Sequence, residues 1–305
     1  LKIFKWSVLV LFSSVRREIM KWFLLVLLAG CSSLLYYPDR IQYVHPERYN
    51  FEYREITFHP KDGTELIGWF FPAKTENVKG TIIQFHGNAQ NMSSHFLTLS
   101  WVMERGYNLF VFDYRGYGIS DGSPTPEGVY QDSRAALKEG RKLWDENGKG
   151  KFIVYGQSLG GAIAMKALEK YDDLESVDLV VQESTFMSYQ DIGFHKLKQS
   201  IVLLPLSPLA YVLLTDKYST KKFVKRLKRP TLVIVAEKDK VVDPKFGKEI
   251  YKTLRTKKKW FWSVPKTGHL EVYHDPKKPY RDNFIQLVES LDEISRANSR
   301  NLKSK

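Results

Sequence analysis

The chain has 305 residues, one cysteine and a formal net charge of +13, with 43% hydrophobic and 27% charged residues. That composition suits a folded chain with a sizeable core, as one large α/β domain or two small ones, and excludes a disordered or collagen-like chain. A lone cysteine excludes an intramolecular disulfide.

The segment MKWFLLVLLAGC (20–31) opens on Lys21, continues as an apolar run and ends on small residues before Cys31. This is the layout of a secretory signal peptide. The run falls short of the roughly 20 apolar residues that a spanning helix needs. Leu28-Ala29-Gly30-Cys31 resembles the bacterial lipobox at all four positions. The resemblance implies a diacylglyceryl group on the Cys31 thiol, loss of residues 1–30, and a membrane-anchored place in the bacterial cell envelope, facing outside the cytoplasm. Met20 is a good initiator, so residues 1–19 read as lying upstream of the true start. A longer anchor over 3–29 is opposed by Arg16, Arg17, Glu18 and Lys21, each costly in lipid. Residues 31–52 then form a tether, 53–296 a catalytic domain and 297–305 a basic tail.

YREITF (53–58) and TELIGWFF (64–71) flank the polar turn HPKDG and predict an N-terminal antiparallel hairpin. Six further runs predict strands: GTIIQFHG (80–87), NLFVFDY (108–114), KFIVYG (151–156), DLVVQES (178–184), TLVIVAE (231–237) and WFWSV (260–264). Their nearly continuous apolar character suits strands buried on both faces of a parallel sheet. Helical patterns fall between them at 91–105, 126–144, 160–170, 244–255 and 278–296. The alternation predicts one doubly wound α/β domain with a mostly parallel sheet.

After the sixth strand the alternation breaks. An insertion over about 187–228 contains IVLLPLSPLAYVLL (201–214), cut by Pro205 and Pro208 and too short to span a membrane. It reads as core helix or as a lid. KKFVKRLKR (221–229), RTKKKW (255–260) and the tail collect the positive charge. Solvated helix faces account for these clusters, and attraction to anionic lipid headgroups or to an acidic substrate is the sharper reading. No zinc-finger or RNA-binding signature accompanies them, so no nucleic-acid partner is expected.

The chemistry concentrates in KFIVYGQSLGGAIAMKAL (151–168), where a strand leads through Gly156-Gln157-Ser158-Leu159-Gly160 into a helix. A serine on such a turn is forced into a strained conformation, and its neighbours two positions away must lack bulk. Ser158 needs a base and an orienting acid to act as nucleophile. His269, on the loop after the last strand, is the expected base, with His274 as the fallback. Glu237, Asp239 and Asp243 compete as the acid after TLVIVA. Asp243 precedes Pro244 and reads as a helix N-cap, which leaves Asp239 on the loop. The backbone N–H groups of Leu159 and Asn88 are the expected oxyanion donors. His86 reads as a turn-stabilising residue.

The order Ser, Asp, His is that of α/β-hydrolases. Residues 53–292 resemble that superfamily through FHGNAQN (85–91), FDYRGYGISDGSP (112–124), YGQSLGG (155–161), ESTF (183–186), AEKDKVVDP (236–244) and TGH (267–269). The match is to a branch of membrane-associated serine hydrolases that includes eukaryotic protein depalmitoylases, bacterial lipoproteins and aminopeptidase-like enzymes. Asp113 to Gly118 resembles a structural turn of that branch, outside the triad. Ala236, VVDP and ESTF depart from its usual pattern at the acid loop and the acyl-pocket rim.

The resemblance implies an α/β-hydrolase fold and a monomeric serine hydrolase that acts on a small-molecule or acylated substrate through an acyl-enzyme. No metal or cofactor is expected, because no closely spaced His or Cys pair has ligand spacing. A peptidase is the second reading and a non-catalytic, membrane-tethered binding protein the third. A thiol enzyme built on Cys31 is disfavoured, since that residue lies outside the domain with no base beside it.

Overall fold

The computed structural model describes residues 36–148, 150–199 and 203–303. The signal segment, Cys31 and the first residues of the tether lie outside the described residues. Eight strands form one sheet: β1 (Arg54–Phe58), β2 (Leu66–Phe71), β3 (Gly80–Phe85), β4 (Tyr107–Phe112), β5 (Lys151–Gln157), β6 (Leu179–Glu183), β7 (Thr231–Ala236) and β8 (Lys259–Val264). Their order is β1-β2-β4-β3-β5-β6-β7-β8. The β1–β2 and β2–β4 pairs are antiparallel and every other pair is parallel.

Burial explains the strand sequences. Every residue of β2, β3, β4, β6 and β7 is buried, which is why these runs are apolar throughout. The edge strand β1 is instead mostly exposed. One core fills the face covered by α2 (Pro126–Glu146), α3 (Leu159–Leu168), α4 (Tyr189–Lys198), α6 (Lys221–Arg226) and α7 (Pro244–Thr253). The other face carries α1 (Met92–His95), two 3₁₀ turns and α8 (Tyr280–Lys303).

The helix expected over 91–105 is the main departure. It is α1 followed by 3₁₀ turns at Phe96–Thr98 and Ser100–Arg105. The His95 carbonyl accepts from Gln84 Nε2 at 2.9 Å and from Thr98 Oγ1 at 2.8 Å. Side chains thus take the carbonyl that an α-helix would give to a backbone amide four residues on.

The insertion after β6 holds α4, a 3₁₀ segment at Leu204–Leu209 containing Pro208, α5 (Ala210–Leu213) and α6. Its apolar run is not core helix: Leu204, Leu206, Leu209, Tyr211 and Val212 are all exposed.

Topology creates one functional edge. From β3 the chain moves outward to β4, then returns to β5 on the other side of β3. The loops after β3 and β5 are therefore neighbours at the carboxyl end of the strands, the usual ligand position in open α/β sheets. The turn after β4 is clamped to α2. Arg115 meets Asp132 through Nη2–Oδ1 at 2.7 Å, and Asp132 is fully buried. Asp132→Ala leaves a largely buried guanidinium short of its main partner and is expected to cost about 3 kcal/mol, read from the urea midpoint at unchanged slope.

Candidate active site

Ser158 occupies the tight turn between β5 and α3 with φ 53° and ψ −124°. Such a conformation costs a non-glycine residue on the order of 1–3 kcal/mol and persists only where neighbours over-determine it. Here the Ser158 N–H donates to Glu183 O at 2.9 Å, and Thr185 Oγ1 donates to Ser158 O at 2.5 Å. The flanking glycines allow the close approach. A Cβ on Gly160 would lie 2.1 Å from Phe85 O, and one on Gly156 would lie 2.4 Å from Gly161 Cα. The amide of Leu159 stands at the first position of α3, where an N–H has no partner within its helix.

Asp239 and His269 meet. His269 Nδ1 lies 2.7 Å from Asp239 Oδ2. A carboxylate only accepts, so Nδ1 carries the proton and the neutral ring presents a bare Nε2 lone pair. Asp239 Oδ1 accepts from the amides of Val241 and Val242, each at 2.8 Å. Burial alone would raise the Asp239 carboxyl, but the hydrogen bond and charge of His269 and those two amides hold it below the usual range. The rejected candidates point elsewhere. Glu237 accepts from Ser263 Oγ at 2.9 Å, and Asp243 caps α7 by accepting from the Lys245 amide at 2.9 Å. His274 is exposed.

The loop after β3 runs beside the serine. A Cβ on Gly87 would sit 3.4 Å from Ser158 Cβ and 3.3 Å from His95 Cε1. Ala89 and Gln90 both have positive φ, at 58° and 55°. Asn88 anchors this turn through Oδ1, which accepts from the Tyr37 amide at 2.9 Å and the Tyr117 hydroxyl at 2.8 Å. His86 is fully buried below it, its Nδ1 donating to Gly87 O at 2.8 Å, and stacks on His95 with ring centroids 5.2 Å apart. Asp113 Oδ1 receives the Met92 amide at 2.7 Å and lies 3.3 Å from His86 Nε2, both side chains buried, so it joins this cluster as a structural partner of His86.

Two residues escape sequence reasoning. His95 sits at the serine's shoulder with Nε2 donating to Ala89 O at 3.2 Å. Burial and the neighbouring His86 push its ring down to about 3, so it stays neutral at physiological pH. Glu183 ends β6 fully buried, with Tyr155 and Gln157 donating to Oε2 at 2.9 and 2.8 Å. Burial raises its carboxyl against those hydrogen bonds, and its side chain feels the charges of both His269 and Asp239. Its backbone carbonyl holds Ser158, so Glu183 is the common neighbour of all three. A glutamate closing an apolar strand is the signal that could have exposed it. Among the described residues no group of three His, Cys, Asp or Glu side chains is arranged to hold a metal.

The family model described as serine aminopeptidase, S33, matches residues 76–226. The chain is 32% identical over 279 residues to YfhR of Escherichia coli K12, covering 87% of this chain and 93% of that one. It is 30% identical over 234 residues to protein bem46 of Schizosaccharomyces pombe, covering 73% of each. Among solved structures, the esterase Pf2001 of Pyrococcus furiosus superposes with a TM-score of 0.67 at 19% identity, over 84% of this chain and 97% of that one. An acylaminoacyl peptidase of Pyrococcus horikoshii superposes with a TM-score of 0.58 at 18% identity, over 79% of this chain and 41% of that one. At such identities the two structures share the fold.

The Asp239 carboxyl has a folded value below its unfolded one of 3.8. Its stabilisation is therefore fully present above that unfolded value and is lost as pH falls through the folded one. Asp239→Asn removes it. The gap in Tm between the wild type and this variant is expected to hold from pH 8 to roughly pH 5 and to shrink below roughly pH 4. A gap that stays constant down to pH 3 would sink the assignment of an ionised, His269-paired Asp239.

Proposed function

Since the chain belongs to the α/β-hydrolase family of the YfhR and bem46 proteins, we propose that it is a serine hydrolase of carboxylic esters or thioesters, acting through Ser158, His269 and Asp239. The observation that carries this reading is the 2.7 Å bond between His269 Nδ1 and Asp239 Oδ2, at the sheet edge that also holds the strained Ser158 turn.

The steps follow from the groups. His269 Nε2 takes the Ser158 hydroxyl proton as Oγ attacks the acyl carbon. The resulting imidazolium is stabilised by Asp239, which keeps the ring in its tautomer. The oxyanion is received by the Leu159 amide at the positive end of α3 and by the Asn88 amide. His269 then protonates the leaving oxygen or sulfur as the tetrahedral adduct collapses to the acyl-enzyme. Water, activated by the same ring, releases the acid and restores Ser158. Every proton is carried by His269, and no cofactor is needed.

A lipid-like acyl chain is the substrate favoured by the apolar insertion beside this edge and by the lipobox at Cys31, which would hold the enzyme at the envelope membrane. The second reading is a peptidase, supported by the serine aminopeptidase family match. Both use the same triad and differ in the bond cleaved.

A fluorophosphonate probe and an acyl ester and thioester series of increasing chain length test the reading. The wild type is expected to label and to prefer medium or long chains. Ser158→Ala is expected to abolish labelling and lower kcat by about 10⁶-fold, and Asp239→Asn to lower it by about 10⁴-fold with labelling slowed. Labelling that persists in Ser158→Ala refutes the nucleophile. Release from aminoacyl anilides with little turnover of any ester selects the peptidase.

A further inference from the structure

Six of the thirteen large apolar side chains exposed among the described residues fall within ten positions: Leu203, Leu204, Leu206, Leu209, Tyr211 and Val212. Val212 is 72% exposed. A contiguous patch of this kind on an otherwise ordinary surface marks an interaction site. Its setting is cationic. Residues 187–228 hold eight lysines and arginines against two aspartates, so they carry +6 of the chain's +13. One of the two acids, Asp191, is already paired with Lys221 at 2.5 Å.

A cavity of about 410 Å³ opens beside the patch between α4, α5 and α7. Phe194, Tyr211 and Phe246 form its apolar wall; Lys198 brings one cation to it, and Lys245, which donates to His195 Nδ1 at 2.7 Å and stands 3.9 Å from Asp243, brings a second, against Glu249 as the acid left after Asp191 is paired. Tyr211 belongs to both the patch and the cavity. Exposed leucines next to two cavity lysines, with Tyr211 shared between them, are the side-chain types that a bilayer surface takes: apolar groups for acyl chains and cations for headgroups.

The chain's entry point agrees. Tyr36, buried to 5% exposure, shares a small cleft with Tyr189 at the start of α4 and Tyr218 just before α6. Cys31 lies five residues earlier, so its backbone could sit no more than about 18 Å from this point.

We infer that the insertion docks directly on an anionic phospholipid bilayer, with Leu203–Val212 entering the acyl region and the cavity cations receiving lipid phosphates. The contact needs neither catalysis nor an acyl group on Cys31. It presents the carboxyl edge of the sheet, and with it the Ser158 turn, toward the membrane.

The test uses the full chain carrying Cys31→Ser, so that a single new cysteine can be labelled with bimane. Val212→Cys reports the patch. Glu76→Cys, on the connection into β3 at the opposite end of the parallel strands, is the control. On vesicles of phosphatidylcholine with phosphatidylglycerol and brominated acyl chains, the Val212 label is expected to shift blue and be quenched at least about threefold more than the Glu76 label. Phosphatidylcholine alone is expected to give little quenching. Lys196→Glu with Lys198→Glu is expected to raise the lipid needed for half-quenching about tenfold. The same results are expected in Ser158→Ala, so loss of catalysis leaves the readout untouched. Equal quenching at the two labels, quenching at neither, or indifference to phosphatidylglycerol overturns the inference. A blue shift that grows with protein concentration without vesicles assigns the patch to a second copy and overturns it as well.

Discussion

Everything at the candidate site depends on how the Ser158 turn is gripped. Its amide is held by Glu183 O on β6, its carbonyl by Thr185 Oγ1, and Gly160 packs against the carbonyls of Phe85 and His86 at the end of β3. Three neighbouring strands therefore fix one strained residue. The arrangement is possible only because β3, β5 and β6 are adjacent and parallel, so that their carboxyl ends arrive together. The strain of a positive φ is offset locally, and Ser158 is held at the N-terminal edge of α3.

The same grip organises the charges. Beneath the turn, burial keeps Glu183 toward its neutral form and His95 uncharged. A negative Glu183 would draw on the same His269 that Asp239 orients, and a positive His95 would discourage protonation of that ring. Asp239 alone is tuned the other way, because two backbone amides and His269 compensate its burial. In the proposed reaction the imidazolium would therefore be partnered first by Asp239, 2.7 Å from His269 Nδ1.

The fold was legible because its strands are buried on both faces. Runs such as TLVIVA and NLFVFDY cannot be amphipathic helices or half-exposed strands, and the structure places them in the sheet interior. Strand boundaries moved by a residue or two, as frayed ends do, whereas the last helix runs to Lys303 instead of ending at 296. The pairing of Asp239 with His269 was legible from proline: Asp243 before Pro244 was expected to cap a helix, and it does, which left Asp239 on the loop. What the sequence hid depends on side-chain competition and burial. The 3₁₀ turns after His95 arise because Gln84 and Thr98 claim a carbonyl, a contact spanning two elements. The perturbed rings and carboxyls of His95 and Glu183 arise from neighbours that are distant in the chain. The apolar stretch 201–214 was ambiguous for a related reason: composition reports hydrophobicity, whereas exposure of Leu206 or Val212 is a property of the packed whole.

A parallel sheet has one carboxyl edge, and this constrains where a membrane can lie. The insertion leaves the sheet after β6, between the strands that precede the Ser158 and Asp239 loops, so its first part, opening with α4, starts at the same edge as those residues before α6 returns the chain to the start of β7. The chain's entry at Tyr36 packs against the same insertion. A substrate drawn from a bilayer at that edge would meet the nucleophile without crossing the bulk of the domain. Were the insertion placed after β4 instead, it would start one strand further from the Ser158 loop and three further from the Asp239 loop, and the link between docking and access would be lost. The position of the break in the βα alternation therefore carries as much functional information as its apolar composition.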